Sequence, residues 1–298
     1  MNTTKLYKEE RTMDFVTLNN GVVMPKVGYG VYQVSPKDCV RSVQDALHAG
    51  YRLIDTAQSY DNEYEVGTGL RQSGVRREEI FLTTKIWIAN AGYEKTRQSI
   101  DDSLRRLQTD YVDLMLIHQP FGDYYGTYRA MEEAYKAGKL RAIGVSNFFA
   151  DRLIDLCHNV EVMPAVNQVE THAFQQQTEL HGIMKKYDIV HEAWGPFAEG
   201  RNGFFSNDVL NRIGAAHHKT AAQTALRFLL QKDVVVIPKS VRPERMAQNL
   251  DVFDFSLTPE EMKQLEKLDT GKSLFFSHYD PKMVEWFYQM VQERNLRV

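Results

Sequence analysis

The sequence predicts an α/β fold of the (β/α)8 TIM-barrel kind, with an N-terminal β-hairpin and two extra C-terminal helices. Three observations lead there. Short apolar, β-favouring segments recur at 51–55, 80–86, 111–117, 140–145, 163–169, 188–194 and 233–237. Helical patterns fall between them near 62–72, 94–107, 127–137, 149–157, 175–187 and 219–231. The alternation continues without a linker or a shift in composition, and repeated βα units imply one parallel sheet. With Lys26 to Val34 as a further strand, the units number about eight, enough to close a barrel, and 298 residues is a common length for such a domain. An open doubly wound sheet is the competing architecture.

In chain order, residues 1–12, MNTTKLYKEERT, are polar and mixed in charge, without the apolar core of a signal peptide. They read as a mobile leader before a single domain at 13–298, with the natural start nearer Met13. In FVTLNNGVVM, Asn-Asn-Gly between apolar segments predicts a hairpin, because Asn and Gly accept positive φ at little cost. Ser35-Pro36 supplies an N-cap and a first-turn proline, Val40, Val43 and Leu47 share one helix face, and Gly50 ends that helix. Past the last strand, Thr258-Pro259-Glu260-Glu261 opens a helix with a capping box. A second helix runs from about Pro281 through Met283, Val284 and Phe287.

Composition narrows the function. Hydrophobic residues at 43% and charged residues at 25% fit a soluble chain with a substantial core. A net charge of −3 argues against general binding to nucleic acid or anionic membranes. No apolar run approaches the roughly 20 residues of a membrane helix. The two cysteines, Cys39 and Cys157, cannot make a disulfide framework and fit a reducing cytosol. The expected protein is cytoplasmic and monomeric, with a small-molecule partner and neither nucleic acid nor membrane.

In a βα barrel the site lies where strands end and helices begin. The stretch YRLIDTAQSY, 51–60, ends a strand at Asp55 and places Tyr60 in the turn that follows. The next ends bring Lys85 in FLTTKIW, His118 in VDLMLIHQP, Ser146-Asn147 in IGVSNF, Asn167-Gln168 in VNQVE, Trp194 in HEAWGPF and Lys239-Ser240 in VVVIPKSV. Singly, each has an ordinary structural reading: a solvated lysine, a core histidine, a helix cap, a core tryptophan. Together and in this order they form a coherent acid. A tyrosine, with a reference pKa of about 10, is a poor proton donor at neutral pH. A lysine ammonium beside it is expected to lower that pKa, and an aspartate keeps the lysine charged. A histidine nearby can donate a hydrogen bond to a carbonyl oxygen. Asp55, Tyr60, Lys85 and His118 could thus protonate an oxygen that gains charge, as carbonyl reduction by hydride requires.

Other chemistries fit less well. HEAWG at 191–195 is not a zinc helix motif, since Gly195 stands where the second His belongs. No metal site is expected. No G-x-S-x-G elbow occurs. Gly28-Tyr29-Gly30 is not a dinucleotide fingerprint, because Gln33 occupies the third glycine position, and there is no P-loop.

These residues resemble an aldo-keto reductase, specifically the short bacterial branch that includes diketogluconate reductases. The motifs are IDTAQSYDNE, TTKIW, LMLIHQP, AIGVSNF, AVNQVE and IPKSVRPERMAQN, and the likeness runs from LNNGVVMP near residue 18 to DPKMVEWF. The resemblance implies a barrel closed below by the hairpin and NADPH extended across the top. It implies reduction of aldehydes and reactive ketones, with Tyr60 as proton donor supported by Asp55 and Lys85, and with His118 orienting the carbonyl. Ser146, Asn147 and Gln168 would hold the nicotinamide carboxamide, and Trp194 would stack on the ring. Lys239, Ser240 and Arg245 would grip the 2′-phosphate, Arg245 lying near a helix start, and Gln248 and Asn249 would hold the adenine. Tyr32 and Trp87 would line the substrate mouth. Gln119 stands where many relatives carry Trp, which implies a more polar pocket. Gly195-Pro196-Phe197-Ala198 replaces Ser-Pro-Leu-Gly, which removes one side-chain phosphate contact. The short segment Glu199 to Ser206 implies a small clasp over the cofactor. The alternatives are a nucleotide-binding regulatory subunit on the same barrel and a barrel hydrolase or isomerase.

Overall fold

The computed structural model describes residues 13–295, and the leader 1–12 lies outside them. Strands β1 (Phe15–Thr17) and β2 (Val23–Pro25) pair antiparallel, with Val16 opposite Met24. Gly21 turns the hairpin at φ +85°, a conformation glycine adopts without strain. The Asn19 and Asn20 amides donate to the carbonyls of Pro164 and Arg141, which fastens the hairpin to the lower ends of two barrel strands.

Eight parallel strands follow in consecutive order: β3 (Tyr29–Gly30), β4 (Leu53–Asp55), β5 (Phe81–Ile86), β6 (Leu114–Ile117), β7 (Ile143–Ser146), β8 (Val166–Glu170), β9 (Val190–Trp194) and β10 (Val235–Val236). Closure comes from Val27, which bridges Val236 in parallel. Gly28 N donates to Val236 O at 2.8 Å, and Val236 N donates to Lys26 O at 2.9 Å. The expected strand 26–34 therefore pairs only around residues 27–30, because past Gly30 the chain turns towards its helix.

Period-two alternation divides the side chains between two cores. Leu53, Leu114, Leu116 and Val166 fill the barrel, plugged from below by Leu18 and Met24. Ile54, Met115, Ile117 and Val169 face outward beneath the helices. Those helices are α1 (Pro36–Ala49), α2 (Glu63–Gln72), α3 (Tyr93–Leu107), α4 (Tyr124–Lys136), α5 (Ala150–Cys157), α6 (Thr178–Lys186), α7 (Asp208–Ala216) and α8 (Ala221–Gln231). The expected signals act as read for α1: Ser35 accepts from Asp38 N, and Gly50 sits at φ +113°.

After β10 come α9 (Pro243–Leu250), α10 (Pro259–Glu266) and α11 (Pro281–Asn295), three helices where the sequence reading expects two. The additional one, α9, is eight residues long and starts at Pro243, the helix start expected near Arg245. The nine-residue α7 is not anticipated. The capping box of Thr258 and Glu261 forms as expected. No helix among the described residues is long and apolar enough to cross a membrane.

Candidate active site

The strand ends open into one cavity of about 700 Å³, lined among others by Asp55, Tyr60, His118, Gln168, Trp194 and Lys239. At its floor Lys85 is fully buried and places Nζ 2.5 Å from Asp55 Oδ1, 3.0 Å from the Thr56 carbonyl and 3.4 Å from Tyr60 Oη. A buried ammonium needs such partners, because desolvation is costly. The Asp55 carboxylate, the Tyr60 phenol and a hydrogen bond hold the Lys85 pKa above its usual value despite burial.

Tyr60 sits in a 3-10 turn, Gln58–Tyr60, directly after β4. The sequence reading expects Lys85 to lower its pKa. Lys85 does act in that direction, but burial outweighs it and pushes the phenol up to about 12. The hydroxyl therefore stays protonated at neutral pH. His118 packs edge-on against Tyr60 with ring centroids 5.6 Å apart, and its Nδ1 lies 3.2 Å from Ser59 Oγ. Burial and the nearby Lys85 hold its pKa well below the ordinary value, so the ring is neutral. The tautomer that accepts from Ser59 at Nδ1 carries its proton at Nε2, and the opposite tautomer donates to Ser59 instead.

The next group is bound together from three strands. Gln168 donates one N–H to Asp55 Oδ2 at 3.0 Å and another to Glu192 Oε2 at 2.9 Å. Both amide hydrogens are thereby committed, and the carbonyl oxygen is left as the acceptor of a side chain that lines the cavity. Ser146 Oγ donates to Gln168 O, and Asn147, at φ +62°, donates to His118 O. Trp194 Nε1 donates to Asn147 Oδ1 at 2.9 Å, which fixes the indole at the cavity wall. Phe275 meets that indole edge-on at 5.1 Å.

Lys239 lines the cavity, whereas Ser240, Arg245, Gln248 and Asn249 lie outside its lining on the segment that leads into and along α9. Arg245 and Gln248 are exposed. Asn249 is buried, and the nearby Tyr51 phenol donates to the Met246 carbonyl at 3.1 Å. Tyr32 and Trp87 line the mouth, Tyr32 with its ring 5.0 Å from Tyr60. Gly195 stands at φ +64°, which accounts for glycine there in backbone terms. From the short segment 198–206, Arg201 donates to Leu274 O at 2.6 Å and lies 4.3 Å over the Phe275 ring.

Two features escape the sequence reading. Gln119 lines the cavity with one end of its amide engaged, its Oε1 lying 2.7 Å from His278 Nε2 on the C-terminal segment. Glu192 is the other, and its signal was a carboxylate inside the apolar strand IVHEAW. It is fully buried, its Oε1 has no partner among the described residues, and one ammonium, Lys85, faces both it and Asp55. Burial and the Asp55 charge push its pKa from 4.5 up to about 8.

The folded state thus binds this proton more tightly than the unfolded state does. The stability it gives is complete below the unfolded pKa and is lost as pH rises towards 8. Relative to wild type, Glu192→Gln is expected to be more stable at pH 8 than at pH 5. One pKa unit corresponds to about 1.4 kcal/mol, which bounds the change across that window at about 4 kcal/mol, or several degrees in Tm. Thermal unfolding at the two pH values measures it. An identical Tm difference at both would show that Glu192 does not titrate in that range.

No group of three or more His, Cys, Asp or Glu among the described residues is arranged to hold a metal ion. Comparison with known proteins places the site in context. Residues 20–270 match the model of the aldo/keto reductase family. Morphine 6-dehydrogenase of Pseudomonas putida is 46% identical over 270 residues, covering 86% of this chain and 91% of that protein. Glyoxal reductase of Bacillus subtilis is 47% identical over 258 residues, covering 86% and 93%. The crystal structure of a Bombyx mori aldo-keto reductase in complex with NADP superposes with a TM-score of 0.84 at 32% identity, covering 88% of this chain and 95% of that one.

Proposed function

The chain belongs to the aldo/keto reductase family, and on that premise we propose that it reduces aldehydes and reactive ketones to alcohols with NADPH, Tyr60 being the proton donor. The observation that carries the reading is the convergence of Tyr60, His118 and the buried Lys85–Asp55 pair on one cavity. A nucleotide-binding subunit without catalysis would have no use for a desolvated ammonium beside a protonated phenol.

The donor set fits the cofactor. The free carbonyl oxygen of Gln168, with Ser146 and Asn147, suits the carboxamide, and Trp194 offers a face for the nicotinamide. Lys239, Ser240 and Arg245 suit a 2′-phosphate, with Gln248 and Asn249 on the adenine side. NADPH, when bound, supplies hydride to the carbonyl carbon. The protein's own part concerns the oxygen. His118 donates from Nε2 and polarises the carbonyl, and as negative charge develops there Tyr60 Oη transfers its proton to it. Lys85, kept charged by Asp55, stabilises the phenolate left behind. All these donors are positioned before reaction, so little reorganisation is needed.

The test is oxidation of NADPH, followed by absorbance, with a simple aldehyde and with a 1,2-dicarbonyl. Steady turnover is expected with both. Cofactor binding without turnover of any carbonyl would instead favour the regulatory reading. Relatives of nearly equal identity are named for morphine and for glyoxal, so family membership leaves the substrate to be read from the pocket.

A further inference from the structure

The family match ends at residue 270, and α11, residues 281–295, lies beyond it. Yet α11 supplies part of the cavity wall: Trp286, Phe287 and Met290 line the same space as Tyr60 and His118. The aromatic contacts are continuous. Trp87 lies edge-on to His118 at 5.3 Å, Phe287 is 6.1 Å from Trp87, and Trp286 is 5.1 Å from Phe287. Phe276 closes the angle at 5.5 Å from Phe287.

The helix is held in this position by polar ties at its approach and along its length. His278 Nε2 lies 2.7 Å from Gln119 Oε1, and its ring stacks on Phe121 and Phe287. Burial holds its pKa down to about 4, so it is a neutral donor. Gly122 N donates to Tyr288 Oη at 3.0 Å. The residue after the proposed catalytic His118 is thus tied to the segment that leads into α11, across 159 positions of chain.

Charge is absent from this side of the cavity. The cations in its lining are Arg201, on the 198–206 segment over Phe275, and Lys239, after β10. The wall of Trp87, Phe276, Trp286, Phe287 and Met290 carries none. At the mouth Tyr32 and Trp286 are about half exposed, at 51% and 48%, which leaves two large rings for a guest to cover. Flat apolar surface of this kind favours edge-to-face and stacked ring contacts. It carries no cation to offset the desolvation of a carboxylate, and its buried donor without a partner among the described residues is the Trp87 indole N–H.

Building on the reductase reading, we propose that the α11 wall, latched by Gln119 and His278, selects uncharged carbonyl compounds with an aromatic or fused-ring flank over small or anionic ones. The test measures kcat and KM with NADPH for 2-naphthaldehyde, propanal and glyoxylate, in wild type, Trp286→Ala and His278→Leu. NADPH Kd, from fluorescence, reports that each variant is folded. Wild type is expected to favour 2-naphthaldehyde by kcat/KM. Trp286→Ala should raise KM for 2-naphthaldehyde about tenfold and reduce its advantage over propanal by a similar factor, with a smaller change in kcat. His278→Leu, by releasing the latch, should erode the same ratio. An unchanged ratio in both folded variants would overturn the proposal and leave the reductase reading standing. A wild-type preference for glyoxylate would overturn the substrate class. NADPH binding without turnover of any of the three would remove the reductase reading and this inference with it.

Discussion

Replacing Tyr60 with Phe is expected to lower kcat by at least the roughly 10²–10⁴-fold that general acid catalysis contributes. The ring packing between Tyr32 and His118 is kept, so the change removes one oxygen and its proton. No other group in contact with that position replaces it. His118 is neutral and can offer a hydrogen bond, and Lys85 is committed to Asp55 and the Thr56 carbonyl. The phenol's pKa of about 12 means that it holds its proton through the neutral range. The cost lies in giving that proton up, and Lys85 at 3.4 Å lowers this cost as the phenolate forms. NADPH affinity should barely change, because the hydroxyl serves the substrate oxygen. The measurement is kcat with deuterated and ordinary cofactor, so that chemistry is known to be rate-limiting, together with NADPH Kd. A variant that keeps most of the wild-type kcat under those conditions would remove Tyr60 from the role.

How much of this was legible in the sequence depends on the range of the interaction that sets it. The Asn-Asn-Gly turn, the Ser35 and Thr258 caps and Gly50 are decided within a few residues, and they form as the sequence predicts. The order of polar strand ends was legible because a barrel converts chain order into a ring. Strand lengths were not, since pairing depends on how neighbours stagger around the barrel, and β3 keeps only Tyr29 and Gly30. The sign of the Lys85 effect on Tyr60 followed from charge alone. The larger effect, burial, depends on packing that the chain does not reveal locally. Gln119 shows the same limit. Its type implies a polar pocket, yet a histidine 159 residues away engages its carbonyl and aromatic rings surround the pair. The helical pattern of Met283, Val284 and Phe287 was evident, but its docking against Trp87 and Phe121 is a tertiary fact.

NADPH is expected to be preferred over NADH by roughly 10²-fold, with Arg245 and Lys239 as the cause. The two cofactors differ by one phosphate that carries close to two negative charges. Lys239 follows β10 and lines the cavity, and Arg245 is exposed in the first turn of α9, whose N-cap is Arg242. In that turn Pro243 has no N–H and the Arg245 N–H donates to Arg242 O at 3.1 Å, so the side-chain cations carry the recognition. Glu244 is the opposing charge in the first turn, and the cations outnumber it. Hydrogen bonds to charged groups contribute about 1.5–3 kcal/mol each, and exposure to solvent reduces that. Two such contacts at the low end still amount to roughly two orders of magnitude in Kd. Arg245→Ala should weaken NADPH binding about tenfold and leave NADH nearly unchanged. The preference should shrink as salt rises, because exposed charges are screened over about 10 Å at 0.1 M. The measurement is Kd for both cofactors, wild type against variant, at two ionic strengths. Equal losses for the two cofactors would show that Arg245 supports the adenine side or the loop and does not read the phosphate.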